Sequence, residues 1–110
     1  MDLITAEELK EKLDRGDDFK LCMVLSEWAF RVKHIPGSIH ISRPEEARKL
    51  LRPEDEIVVY CSDRICPASK YAYTLLKSDG YQDVRRFEGG ITGWEDAGYP
   101  LAGEWAEQTD

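Results

Sequence analysis

The chain has 110 residues, enough for one hydrophobic core and too few for two, so a single domain over residues 1–110 is expected. Apolar residues make up 42% and charged residues 34%, as in an ordinary globular protein, and no apolar run nears the roughly 20 residues that span a bilayer. The formal net charge of −7 argues against nucleic acid, which needs clustered Lys and Arg, and against adhesion to anionic membranes.

The opening Met-Asp-Leu-Ile-Thr-Ala-Glu-Glu carries neither a basic n-region nor an apolar h-region, so the cytoplasm is the expected location. Cys22, Cys61 and Cys66 make an odd count without the density of a disulfide scaffold. Free thiols in a reducing compartment are expected, with at most one transient pair.

Taken in order, Thr5-x-x-Glu8 is a capping box opening a short helix with Ala6, Leu9 and Leu13 on one face, stopped near Gly16. Residues 19–25 are apolar enough for a central strand, with Cys22 read as core. Ser26–Val32 suits a helical turn, and His34-Ile-Pro-Gly37 must turn because Pro36 and Gly37 break regular structure. Ser38–Ile41 reads as a short strand and Pro44–Leu51 as a helix with Pro in its first turn. A strand over 56–60 precedes a helix over 67–78 capped by Gly80. Asp83–Phe87 is another strand, followed by Gly89-Gly90 and a short helix through Trp94 that closes near Gly98. Residues 102–110, with Trp105, are expected to form a loosely docked tail. Such alternation implies an α/β fold, a mainly parallel sheet covered by helices on both faces.

Ile57-Val-Val-Tyr60 reads as a strand buried on both faces. It ends at Cys61, and after a short polar loop the apolar residues Ala68, Tyr71, Ala72, Leu75 and Leu76 fall on one helical stripe. A cysteine at a strand's carboxyl end, facing loop amides and a helix N-terminus, sits where a thiolate is stabilised. Ligands also bind at the carboxyl ends of strands in open α/β sheets.

His34-Ile-Pro-Gly-Ser-Ile39, Val58-Val-Tyr-Cys61, Gly80-Tyr-x-x-Val84, Gly89-Gly-Ile-x-x-Trp94 and Ala97-Gly-Tyr-Pro-Leu101, in this order and spacing, resemble the rhodanese-like family of single-domain sulfurtransferases. The resemblance covers about residues 3 to 101. It implies a five-stranded, mainly parallel sheet flanked by helices, with Cys61 as the active cysteine at the end of the fourth strand. Where the family often carries Asp-x-Arg after the second strand, this chain has Met23 and Leu25, so an ion pair beside the active loop is expected to be absent. The loop Ser62-Asp63-Arg64-Ile65-Cys66 is a variant, and Cys66-Pro-Ala-Ser69 places the chain nearest relatives with a second cysteine.

The chemistry implied is attack of the Cys61 thiolate on a sulfane sulfur, held as a persulfide and passed to a thiol or protein acceptor. Amides of residues 62–66 are expected to converge on the Cys61 sulfur, with the helix N-terminus adding partial positive charge. Arg64 either receives an anionic donor such as thiosulfate or pairs with Asp63 on the surface. Ser62 and Ser69 offer hydroxyls, with Ser69 read as satisfying the first helical turn. Cys66 either resolves a persulfide as a disulfide or simply caps the helix and packs beneath the loop. His34 is read as bonding local backbone, and Trp94 as packing the last helix on the sheet. No metal spacing is present and no cofactor is expected.

The leading function is therefore a sulfurtransferase. The alternative is a non-catalytic rhodanese-like module for partner binding or redox sensing. A phosphatase of the Cys-x5-Arg type is disfavoured, because its arginine would fall at Pro67, which offers neither charge nor N–H.

Overall fold

The computed structural model describes residues 1–105, apart from the Pro44 side chain. Five strands, β1 (Leu3–Ile4), β2 (Lys20–Met23), β3 (Ile39–His40), β4 (Glu56–Tyr60) and β5 (Asp83–Phe87), alternate with five helices. The helices are α1 (Ala6–Arg15), α2 (Glu27–Val32), α3 (Pro44–Leu50), α4 (Ala68–Ser78) and α5 (Gly90–Asp96). The strand order is β1-β5-β4-β2-β3 and every pairing is parallel. Parallel strands must be joined by crossovers, and here the helices supply most of them.

The apolar run of β4 is central because it can be buried on both faces. Ile57, Val58, Val59 and Tyr60 are each fully buried, between β2 on one side and β5 on the other. Their alternation divides the core in two. Ile57 and Val59 join Cys22, Val84, Ala47 of α3, Leu51 just after it, and Tyr73 and Leu76 of α4. Val58 and Tyr60 join Leu21, Met23 and Phe87 under Leu9 of α1 and Trp94 of α5. Fully burying a side chain such as Leu9 is worth about 1.5–3 kcal/mol.

Local signals act as the sequence implies. In α1 the Thr5 hydroxyl accepts from Glu8 N–H at 3.1 Å, while Thr5 N–H donates to the Glu8 carboxylate at 3.0 Å. Gly16, at φ 72°, ends the helix in the left-handed conformation that glycine adopts without steric cost. Trp94 is buried and donates Nε1–H to the Pro100 carbonyl at 2.7 Å.

Three sequence expectations shift. The strand expected over 19–25 is Lys20–Met23, and Leu25 instead offers its carbonyl to His40 Nε2 at 2.6 Å. Strand β1 was not read, because two residues cannot display a period of two. In α4 the buried residues are Ser69, Tyr73 and Leu76, while Tyr71 of the expected stripe is 68% exposed. The rotation has a polar cause: Tyr73 Oη accepts Asp2 N–H at 3.0 Å and the Ser69 hydroxyl is bonded at the site described below.

Of the tail expected over 102–110, residues 102–105 are described. Ala102 and His34 exchange two backbone hydrogen bonds of 2.9 Å, and Glu104 and Trp105 donate to the carbonyls of Arg31 and Val32. Residues 106–110 lie outside the described residues. Among the described residues no helix is long and apolar enough to cross a membrane.

Candidate active site

Cys61 follows β4 directly and is 1% exposed. Its carbonyl accepts Ile91 N–H at 3.0 Å, and that of Ser62 accepts Thr92 N–H at 2.9 Å, which ties the loop to the first turn of α5. The contact is close enough to demand glycine. A Cβ on Gly90, at φ 63°, would lie 2.5 Å from the Cys61 carbonyl oxygen.

Within the loop, Asp63 Oδ1 accepts from the amides of Ile65 at 3.0 Å and Cys66 at 2.9 Å. This carboxylate-closed turn is what aspartate does well in a short loop. It also removes Asp63 from the side-chain pairing considered for Arg64. Arg64 is 83% exposed at its side chain and pairs instead with Glu88, 3.5 Å away. Ile65, 89% exposed, occupies the loop without packing against the core.

The organising cation is Arg86, which the sequence reading missed. It is 6% exposed, on β5. Nε–H donates to Ser69 Oγ at 2.9 Å, and Nη2 donates to the carbonyls of Arg64 at 3.3 Å and Cys66 at 3.4 Å. Glu88 lies 4.0 Å from Nη1 and partly balances the charge. The planar guanidinium suits this task because its fixed fork reaches several acceptors at once. Strand alternation puts Arg86 on the same side as Val84, an inward position, and that was the signal available in sequence.

Ser69 connects Arg86 to the sulfur. Cys61 Sγ lies 3.2 Å from Ser69 Oγ and 3.5 Å from the Cys66 carbonyl oxygen. Ser69 does not satisfy the first helical turn, as expected from sequence; it is buried between the arginine and the cysteine. With its oxygen accepting from Arg86, its own proton is free to serve the Cys61 thiolate.

The two loop cysteines respond oppositely to this setting. Burial pushes the Cys61 thiol up and neighbouring Cys66 adds to this, against the hydroxyl and amide of Ser69. For Cys66, partial burial opposes ionisation, but hydrogen bonds from Cys61, the Ala68 amide and the Ser62 amide and hydroxyl outweigh it and draw its pKa down. Ala68 is the first residue of α4, so the helix N-terminus faces Cys66. Of the amides expected to converge on Cys61, those of Ile65 and Cys66 are taken instead by Asp63.

At the end of β2, Met23 is 1% exposed and Leu25 packs on the same apolar cluster, so neither position brings charge to the loop. An apolar groove of about 220 Å³ opens between α3 and α4, bordered by Ile41, Ala47, Tyr71 and Leu75. It reaches Ala68 but neither loop cysteine, and so is not the sulfur site.

The rhodanese-like domain family matches residues 5–97. The thiosulfate sulfurtransferase GlpE of Pseudoalteromonas translucida (strain TAC 125) is 28% identical over 96 residues, covering 86% of this chain and 89% of its own. A Bacillus halodurans protein of known structure is similar with a TM-score of 0.89 at 23% identity, over 99% of this chain and 82% of its own. The human single-domain sulfurtransferase TSTD1 is similar with a TM-score of 0.73 at 23% identity, over 87% of this chain and 96% of its own. At that identity the two structures speak for the fold alone. The match from α1 to α5 carries the further step: this chain belongs to the rhodanese-like domain family.

Proposed function

We propose that this protein is a rhodanese-type sulfurtransferase that carries sulfane sulfur as a persulfide on Cys61. The observation that supports this most is the buried relay Arg86–Ser69–Cys61, with contacts of 2.9 Å and 3.2 Å. Arg86 also braces the loop through the Arg64 and Cys66 carbonyls, but the arm that reaches Ser69 places a hydroxyl beside the Cys61 sulfur, where a persulfide-forming sulfur needs a donor for its anionic state. The distant likeness to a thiosulfate sulfurtransferase supports the same reading.

In this mechanism the Cys61 thiolate attacks the outer sulfur of thiosulfate. The donor's S–S bond breaks, and sulfite leaves with the electron pair. The Cys61 persulfide then yields its terminal sulfur to a thiol or a nucleophile on an acceptor protein. The exposed guanidinium of Arg64 draws the anionic donor to the loop, tempered by its pairing with Glu88. A reducing compartment, the cytoplasm, suits the free cysteines the mechanism requires.

One observation favours the second reading, a partner-binding or redox-sensing module: the Cys61 thiol is buried and pushed up, not down. The two separate on sulfite release from thiosulfate in a single turnover. A sulfurtransferase releases sulfite in proportion to protein, and Cys61→Ser releases none. Absence of sulfite from the folded wild type, with thiosulfate and with glutathione persulfide failing to load sulfur, would move the assignment to the module.

A further inference from the structure

Cys66 is half-buried, while Cys61 is 1% exposed. The Cys61 sulfur points at the main chain of Cys66, 3.5 Å from its carbonyl oxygen, and each thiol influences the other's ionisation. The loop between them is held at both ends of residue 66. Asp63 fixes the Cys66 amide at 2.9 Å and Arg86 fixes its carbonyl at 3.4 Å. These contacts hold residue 66 against the Cys61 sulfur, and hydrogen bonding that outweighs its partial burial draws the Cys66 pKa down.

We infer that Cys66 is a second redox-active thiol, which attacks the Cys61 persulfide, expels its outer sulfur as sulfide and closes a Cys61–Cys66 disulfide. This rests on the persulfide reading above. The Cys66 thiolate forms a bond to Cys61 Sγ, and the persulfide S–S bond breaks with its electron pair leaving on the terminal sulfur as HS⁻. Two cysteine thiols are oxidised by two electrons in all, and the sulfane sulfur is reduced to sulfide. One thiosulfate and two thiols therefore give one disulfide, one sulfite and one sulfide; the sulfur donor is itself the oxidant.

The direction of the shift on Cys66 fits its role. An attacking thiol works best when its pKa lies near ambient pH, and the shift on Cys66 is downward. A disulfide closing so short a loop gains little from chain entropy, so an external dithiol reopens it and returns the site to its starting state. Cys22 takes no part: burial within the sheet pushes its thiol to about 12.

The test uses the full chain, reduced, freed of reductant and held without oxygen, with one equivalent of thiosulfate or, in a parallel arm, glutathione persulfide. Intact mass, peptide mapping and released sulfide are read together. Wild type is expected to finish two hydrogens lighter, with a mapped Cys61–Cys66 disulfide and one sulfide released per chain. Cys66→Ser and Cys66→Ala are expected to keep the extra sulfur and release no sulfide. A wild type that holds its persulfide, with neither disulfide nor sulfide, overturns the role of Cys66 and leaves the transferase reading standing. No sulfur uptake or sulfide release by folded wild type overturns both. Should the variants fail to fold, the wild-type disulfide and sulfide decide alone.

Discussion

Ser69 sets the character of the Cys61 sulfur. Its hydroxyl is held by Arg86 on one side and meets Cys61 at 3.2 Å on the other. Ser69→Ala removes a donor to the thiolate and leaves the buried Arg86 Nε–H without a partner. A hydrogen bond to a charged group is worth about 1.5–3 kcal/mol, so thiosulfate consumption at neutral pH should fall roughly 10- to 100-fold. Alkylation of Cys61 by iodoacetamide, followed by peptide mass against pH, should shift to higher pH in the same variant. An unchanged profile would show that the relay does not act on the sulfur. Exposure, with Cys66 half-buried and Cys61 1% exposed, also sets an order of modification. In wild type Cys66 should be alkylated first at neutral pH, Cys61 later, and Cys22 only on unfolding. Early labelling of Cys61 would contradict the assignment of the more acidic thiol. Cys61 was legible in the sequence because a strand end and a following helix define its place. Arg86 was not, since alternation with Val84 marks only an inward position and the acceptors that let a charge be buried there are distant in sequence.

Among the elements, the loop after β4 and the first turn of α5 behave as one piece. Residues Ile91 and Thr92 donate to the carbonyls of Cys61 and Ser62 across an approach that only a glycine at position 90 permits. Gly90→Ala combines a left-handed backbone costing about 1–2 kcal/mol with a clash against backbone atoms that cannot rotate away. We expect a loss of about 2 kcal/mol or more, read from the urea midpoint, with a larger loss of thiosulfate consumption as the loop shifts. Unchanged activity in that variant would separate α5 from the site. The Gly89-Gly90 pair was visible in sequence as a turn, but not what it touches. The α4 helix was legible as a helix, and of its expected apolar stripe Leu76 is buried and Ala72 packs against the core, while Tyr71 is exposed. Its apolar spacing selects Tyr71, yet Ser69 and Tyr73 turn inward because each hydroxyl finds a partner there, an effect absent from any hydrophobic period.

For the whole molecule, alternation of strand and helix was enough to give a parallel sheet with two covered faces, because parallel strands need crossovers and both sides of β4 are apolar. The same two-sided burial makes the fold sensitive to alkali. Burial pushes Cys22 from 9.0 to about 12 and Tyr60 from 10.0 to about 12. Both groups are neutral in the folded chain over a range where the unfolded chain ionises. The unfolded state then binds fewer protons, so stability is full below about pH 9 and falls as pH rises toward 12. Urea midpoints from pH 8 to 11 should decline progressively, and Tyr60→Phe should flatten part of that decline. The variant should also be less stable at neutral pH by about 1–3 kcal/mol, because Ile35 N–H, which donates to Tyr60 Oη at 3.0 Å, loses its acceptor. The most direct measurement of the proposed chemistry is the intact mass of Cys66→Ser, and of Cys66→Ser combined with Cys61→Ser, after thiosulfate treatment. A gain of one sulfur in the first and none in the second is the predicted result. An equal gain in both, or none in a folded Cys66→Ser chain, would contradict Cys61 as the sulfur carrier.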